Sequence, residues 1–190
     1  MNGILSGLTI IEGSAFVAAP LGGMTLAQMG ATVIRFDMIG GGLDYRRWPI
    51  TKEGKSLYWP SLNKGKKSIA IDIRNPRGQE LIHGLIAQSK NFLTNFPARG
   101  WLDYNALKSK TPDLVMINVQ GNPDGSSELD YTVNCAAGFP DITGPAGSGQ
   151  PVNHVLPAWD VSTGLYAALS FLAADRHRIQ TGEGQLVQVA

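Results

Sequence analysis

Asp160 lies in Leu156-Pro-Ala-Trp-Asp-Val161, just ahead of a long apolar-periodic stretch. Aspartate at such a position suits a helix N-cap, accepting hydrogen bonds from the backbone N–H groups of Ser162 or Thr163. Local spacing favours the cap over a catalyst, yet the two roles are compatible. Donors at a helix N-terminus stabilise an ionised carboxylate, and a carboxylate nucleophile must be ionised. His154 in the same loop offers an acid or base, or a structural histidine. Asn63-Lys-Gly-Lys-Lys67 gathers three lysines beside a glycine. That composition fits a phosphate cradle, while its spacing favours a solvated basic turn. Arg46-Arg47 carries a weaker version of the same signal. In Thr94-Asn-Phe-Pro-Ala-Arg-Gly100, Phe96 could stack on a base and Arg99 could meet phosphate. The plain alternative is one core aromatic and one surface arginine. Glu12 to Pro20 is small-residue-rich and runs into a helix start, where backbone can approach an anion, but it lacks the Gly-x-Gly-x-x-Gly pattern.

Other reactive side chains point nowhere definite. Cys135, in Val133-Asn-Cys-Ala-Ala137, reads as a small, inert, buried residue rather than a nucleophile. His83 and His177 carry no assignable role. No Cys/His spacing fits zinc, no acidic cluster fits a dedicated divalent site, and no Gly-x-Ser-x-Gly elbow is present, so no metal is expected.

These residues need a frame. Short β-branched runs at Leu8–Ile11, Thr32–Phe36, Ser68–Ile73, Asn91–Phe96, Leu114–Val119 and Gln185–Ala190 predict strands. Helical patterns fall between them: Pro20–Met29, a helix opened by Asn75-Pro76, Asp103–Lys110, a partly helical Asp130–Ala137, and Val161–Ala174. Leu81, Ile82, Leu85 and Ile86 should form one apolar face, and Val161, Leu165, Ala168, Leu169 and Leu172 another. A long loop from Asp37 to Asn63 is expected to be functional. Alternating strands and helices predict an α/β fold: a Rossmann-like, mainly parallel sheet with helices on both faces. Ligands bind outside the carboxyl ends of such strands. Glu12–Pro20, Asp37–Asn63, Phe96–Leu102 and the segment from Gln120 onward leave those ends.

The 190 residues suffice for one sizeable core, with 43% hydrophobic and 16% charged residues. A net charge of +1 gives no broad basic face for nucleic acid or anionic lipid. A single cysteine fits a reducing, cytoplasmic setting. No apolar window is long enough to span a membrane, and Met1-Asn-Gly-Ile-Leu5 has no basic segment ahead of an apolar run, so no signal peptide is expected. The chain stops in a strand-like run, which reads as part of a longer protein.

Leu5-Ser-Gly-Leu-Thr-Ile-Ile-Glu12, Ala18-Ala-Pro20, Leu26-Ala-Gln-Met-Gly-Ala-Thr-Val-Ile34, Asn63-Lys-Gly-Lys-Lys-Ser-Ile-Ala-Ile-Asp72 and Thr181-Gly-Glu-Gly-Gln185, in this order, resemble the class III coenzyme A transferases. Gly40–Tyr45, Thr94–Trp101 and Asn153–Asp160 resemble the branch that shifts coenzyme A within mesaconyl-coenzyme A. The resemblance implies a large Rossmann-like domain, of which residues 1–190 would be the N-terminal part, a second smaller domain, and an interlocked homodimer. It implies Asp160 as the nucleophile. Coenzyme contacts would fall at Val17, Ala18, Leu62, Asn63, Lys64, Gly65, Lys66, Asn95, Phe96, Arg99, Leu129, Asp130, Tyr131 and Thr132. Coenzyme A would be a substrate moiety, with no permanent cofactor, and acyl-coenzyme A and a dicarboxylic acid the partners. Formate-specific members carry a glutamine where this chain has Val17 and a lysine where it has Leu129. Racemases of the family carry a histidine near Leu129. The remaining alternatives are an acyl-coenzyme A racemase or epimerase, and an inactive nucleotide-binding fragment.

Overall fold

The chain's structure, a computed structural model, describes residues 3–190; Met1 and Asn2, which begin the segment read above for a leader, lie outside it. Six strands form one sheet: β1 (Thr9–Gly13), β2 (Thr32–Asp37), β3 (Lys67–Ala70), β4 (Asn91–Thr94), β5 (Val115–Val119) and β6 (Leu186–Val189). Their spatial order is β3-β2-β1-β4-β5-β6, and every neighbouring pair is parallel. The central strands are buried on both faces, which explains their near-continuous apolar runs. The chain reverses its direction of growth between β1 and β4, so the crevice above those two strand ends is the natural ligand position.

Two helical layers cover the sheet. α1 (Ala18–Gln28) and α7 (Ala158–Thr181) pack with Ile10, Val33, Leu93 and Ile117 on one face. α3 (Pro76–Ser89) and α4 (Tyr104–Lys108) pack with Ile11, Phe36, Phe92 and Met116 on the other. Asn75 caps α3 by accepting from Arg77 N–H at 3.0 Å, with Pro76 in the first position as its sequence indicated. Ile82 and Ile86 form the buried face of that helix; Leu81 instead points to solvent. Three short helices, α2 (Tyr58–Leu62), α5 (Asp130–Ala136) and α6 (Phe139–Ile142), lie in the segments leaving the sheet. α2 and an Ile50–Ser56 bridge give the Asp37–Asn63 loop internal structure that its composition concealed.

Besides Leu81, two further expectations are corrected. The seam of α7 is Gly164, Ala167, Ala168, Phe171 and Ala174; Leu165 and Leu169 are more than half exposed. The reason is the closeness of α1. A Cβ on Gly164 would lie 2.7 Å from the Ala18 carbonyl oxygen, and one on Gly22 would lie 2.9 Å from that of Gly164. Only the smallest residues allow this approach, so the larger apolar stripe faces away. Cys135, expected to be buried, is exposed on α5, because that short helix stands outside the two cores.

Candidate active site

α7 starts at Ala158, three residues earlier than its periodicity indicated, so Asp160 sits inside its first turn rather than capping it. The cap comes from α5. Asp130 Oδ2 accepts from Trp159 N–H at 2.8 Å and from Asp160 N–H at 3.1 Å. Two backbone donors that have no intrahelical partner are thereby satisfied. Asp130 is held in turn by His154, whose Nε2 lies 2.8 Å from Oδ1. Trp159 Nε1 donates to Asn134 Oδ1 at 3.1 Å, and Asn134 Nδ2 donates to Asn153 Oδ1 at 2.6 Å. Asp160 is therefore fixed in place through its backbone while its carboxylate accepts no hydrogen bond among the described residues.

That environment reverses the expected direction of its acidity. The Asp160 carboxyl is pushed up to about 6, first by burial and then by the neighbouring Asp130 carboxylate, against the pull of Arg47. The expected stabilisation fails because Ser162 and Thr163 lie within α7, and the free donors of its first turn, Trp159 and Asp160 N–H, go to Asp130. A half-buried aspartate poised near neutrality beside a named charge partner is a candidate reactive group.

The loop after β1 forms the opposite wall. Phe16 is in the left-handed region (φ 65°), a conformation rare for an aromatic residue. Its N–H donates to Asp44 Oδ2, and Ala15 N–H and C=O are clamped by the Asn95 side chain at 2.9 and 2.7 Å. Both ends of the Asn95 amide are thus committed to backbone. Arg47 stacks over the rings of Phe16 and Tyr58, at 5.2 and 5.0 Å from their centroids. Burial, the leading cause, lifts the Tyr58 hydroxyl to about 12, which keeps it protonated and able to donate.

Beneath this loop a fully buried charge cluster fixes β1 to β2. Arg35, 1% exposed, donates to Glu12 Oε1 at 3.2 Å and to Asp37 at 2.9 Å, and also to Ser14 and Asn63. Lys66 joins it. Its Nζ donates to Glu12 Oε1 at 2.7 Å, Pro20 C=O at 2.8 Å and Asn63 Oδ1 at 2.9 Å. All three ammonium donors are spent, so neither the phosphate cradle nor the solvated turn describes Lys66, although Lys64 and Gly65 are exposed. Asn63 is likewise buried and engaged. The missed clue was an arginine within an otherwise apolar parallel strand, which burial on both faces obliges to find partners.

A cavity of about 400 Å³ opens beside this cluster, at the ends of β1, β2 and β4. It is mostly apolar, lined by Phe36, Leu43, Phe96 and Trp101 among others, together with Arg99, Ser14 and Ala15. Phe96 is a core aromatic that packs edge-on against Phe36 at 6.2 Å and also lines the cavity. Of the remaining residues singled out by sequence, Val17 and Ala18 open α1 beside Phe16, and Leu62 ends α2. Leu129 and Tyr131 are exposed, and the Thr132 hydroxyl accepts from Leu129 N–H at the start of α5. Asp130 acts on the chain itself, as the cap of α7.

Residues 5–190 match the model of CoA-transferase family III. The chain is 64% identical to 2-methylfumaryl-CoA isomerase of Chloroflexus aurantiacus, over the whole chain and 48% of that protein. It is 34% identical to succinate–glutarate CoA-transferase of Agrobacterium fabrum, over 98% of the chain and 50% of the relative. A crystal structure of a CAIB/BAIF family protein from Brucella suis superposes with a TM-score of 0.89 at 30% identity, covering 98% of the chain and 53% of its own. The chain thus spans about half the length of the curated relatives it matches.

Proposed function

The chain belongs to CoA-transferase family III, and from that premise we propose that it is the N-terminal part of the large domain of an enzyme moving coenzyme A between two carboxyls of one dicarboxylic acid, as mesaconyl-coenzyme A isomerisation requires. The observation that carries this reading is Asp160: fixed by its backbone, half-buried, with a free carboxylate poised near neutrality. The 64% identity to an isomerase of 2-methylfumaryl-CoA supports the substrate.

The Asp160 carboxylate attacks the thioester carbonyl, a C–O bond forms, the C–S bond breaks, and an acyl-aspartyl anhydride and a coenzyme thiolate result. The thiolate attacks the aspartyl carbonyl of the anhydride, giving an aspartyl thioester and a free acyl carboxylate. The other carboxylate of the same acid then attacks the aspartyl thioester, and the steps run in reverse. Each step is an acyl transfer of similar difficulty, which is the advantage of a covalent intermediate. Above pH 6 Asp160 is ionised yet more basic than an ordinary aspartate, hence a better nucleophile. Backbone N–H donors at each oxyanion would contribute about 3–4 kcal/mol apiece.

The apolar cavity beside Phe96 and Arg99 suits the nucleotide end of the coenzyme, with Lys64 and Gly65 near its phosphates and Val17, Ala18, Leu62, Leu129, Tyr131 and Thr132 along the remaining path. Lys66, Asn63 and Asn95 support this site from beneath rather than touching ligand, because their donors and acceptors are occupied. We place the whole enzyme in the cytoplasm as an interlocked homodimer with a second, smaller domain. Exposed Leu165, Tyr166 and Leu169 on α7 offer apolar surface for those missing parts, and a lone cysteine suits a reducing compartment. An acyl-coenzyme A racemase using Asp160 and His154 as bases is the second reading, since the free Asp160 carboxylate and the His154–Asp130 pair would serve proton abstraction as well.

Hydroxylamine or borohydride trapping of the full-length enzyme during turnover, followed by peptide mapping, should modify Asp160. Modification elsewhere, or full activity in Asp160→Ala, would overturn the assignment. Solvent deuterium appearing at an α-carbon would instead indicate a racemase.

A further inference from the structure

We propose that Arg47 is a specificity-determining residue whose guanidinium holds the free carboxylate of a dicarboxylic acyl group while the other end reacts at Asp160. This rests on the reading of Asp160 given above.

Arg47 differs from the two buried or half-buried arginines that are paired, Arg35 and Arg178, in what its donors do. Arg35 spends its guanidinium on Glu12, Asp37, Ser14 and Asn63. Arg178 spends its own on Asp175 and the Lys90 carbonyl. Arg47 instead has its guanidinium carbon over the rings of both Phe16 and Tyr58, and among the described residues nothing accepts a hydrogen bond from its guanidinium. Stacking engages the faces of the planar cation and leaves its edge, a fork of N–H groups, open for a carboxylate.

The surrounding chain fixes this geometry. Arg47 N–H donates to the Asp44 carbonyl at 3.1 Å, and its own carbonyl accepts from the Ser56 hydroxyl. The Asp44 side chain accepts from Phe16 N–H and so holds the left-handed residue that supplies one wall of the clamp. Ser56 Oγ also accepts from Tyr58 N–H at 3.1 Å, tying in the other wall. Cation and both rings are therefore positioned by one connected loop.

The charge of Arg47 acts on Asp160, and Tyr58, on whose ring Arg47 lies, feels both groups, yet Arg47 and Asp160 do not pair. With Asp130 adjacent to Asp160 and Asp44 on the loop that carries Arg47, carboxylates outnumber this guanidinium. A second carboxylate arriving with the substrate would be repelled unless a cation met it. Arg47 is the unspent cation at that position, and a guanidinium–carboxylate fork is directional as well as strong. A monocarboxylic thioester brings nothing for it to hold. A coenzyme phosphate would use Arg47 equally for every thioester, which separates the two ligands experimentally.

The test is exchange of isotopically labelled coenzyme A into a thioester by the full-length enzyme. Exchange reports anhydride formation at Asp160: one thiolate leaves and a labelled one returns. Arg47→Met keeps an apolar side chain over the rings and removes the charge; Arg47→Lys keeps the charge and removes the fork. At about pH 8, with Asp160 ionised in every variant, Arg47→Met should slow exchange with mesaconyl-coenzyme A about 100-fold, the loss of two charge-assisted hydrogen bonds. Exchange with crotonyl-coenzyme A should slow less than about 5-fold, since it forgoes those bonds already. Arg47→Lys should fall between. Equal loss with both thioesters, or no loss with either, overturns the proposal. Exchange persisting in Asp160→Ala would instead sink the Asp160 reading itself, whatever Arg47 does.

Discussion

Burial raises the basicity of Asp160 while Arg47 restrains it, so the residue ionises near neutrality rather than near pH 4. For the full-length enzyme, kcat/KM should climb tenfold per pH unit below about 6 and level off above it. Asp130→Asn removes a negative neighbour and should move that midpoint downward; an unmoved midpoint would count against Asp130 as a cause. Stability carries the opposite sign. The folded-state acidity constant of Asp160 lies above the unfolded one, so folding is favoured by protonation and loses stability as pH rises from about 4 to about 6. Asp160→Asn should therefore unfold later than the natural protein at pH 7, by about 1 kcal/mol after allowance for partial exposure, with the gain gone below about pH 4. Denaturant unfolding at the two pH values measures it.

The start of α7 depends on another element, since its cap is supplied by α5. Asp130→Ala should cost about 1–2 kcal/mol, and amide exchange should rise at Trp159 and Asp160 first. The α1–α7 seam is the second element-scale dependence. A methyl group at Gly164 meets the Ala18 carbonyl oxygen at 2.7 Å and Leu21 Cβ at 3.0 Å. Gly164→Ala should destabilise by about 1–3 kcal/mol through overpacking, despite the better helix propensity of alanine. A melting temperature raised by this change would show that the helices can separate at little cost.

Across the whole molecule, the loop that carries Phe16 and the sheet are joined by the Glu12–Arg35–Lys66–Asp37 cluster, in which two positive and two negative side chains balance. Lys66 is held less basic than usual by burial, offset by Glu12. Lys66→Met leaves Glu12 with one fewer partner in a buried site and should cost about 3–5 kcal/mol, seen in denaturant titration. If Lys66 instead bound phosphate, this variant would keep its stability and lose only coenzyme affinity. Gly23 belongs to the same unit, because a Cβ there would fall 1.7 Å from Glu12 Oε2.

The strands, the parallel α/β architecture and the Asn75-Pro76 helix start were legible in the chain, because apolar periodicity and capping are local properties. Position ahead of the strongest helical pattern made Asp160 legible only as a cap; its reading as a nucleophile comes from the family resemblance. It does not cap that helix. Asp130, thirty residues away in sequence, takes that role, and only the packing of α5 against α7 decides it. Likewise the buried stripe of α7 follows from its distance to α1, not from the size of its own apolar residues. Three lysines beside a glycine could not reveal that one turns inward to Glu12, since long-range charge pairing leaves no mark on neighbouring residues. Periodicity sets elements; which charges meet, and which stay free, is set when the elements close on one another.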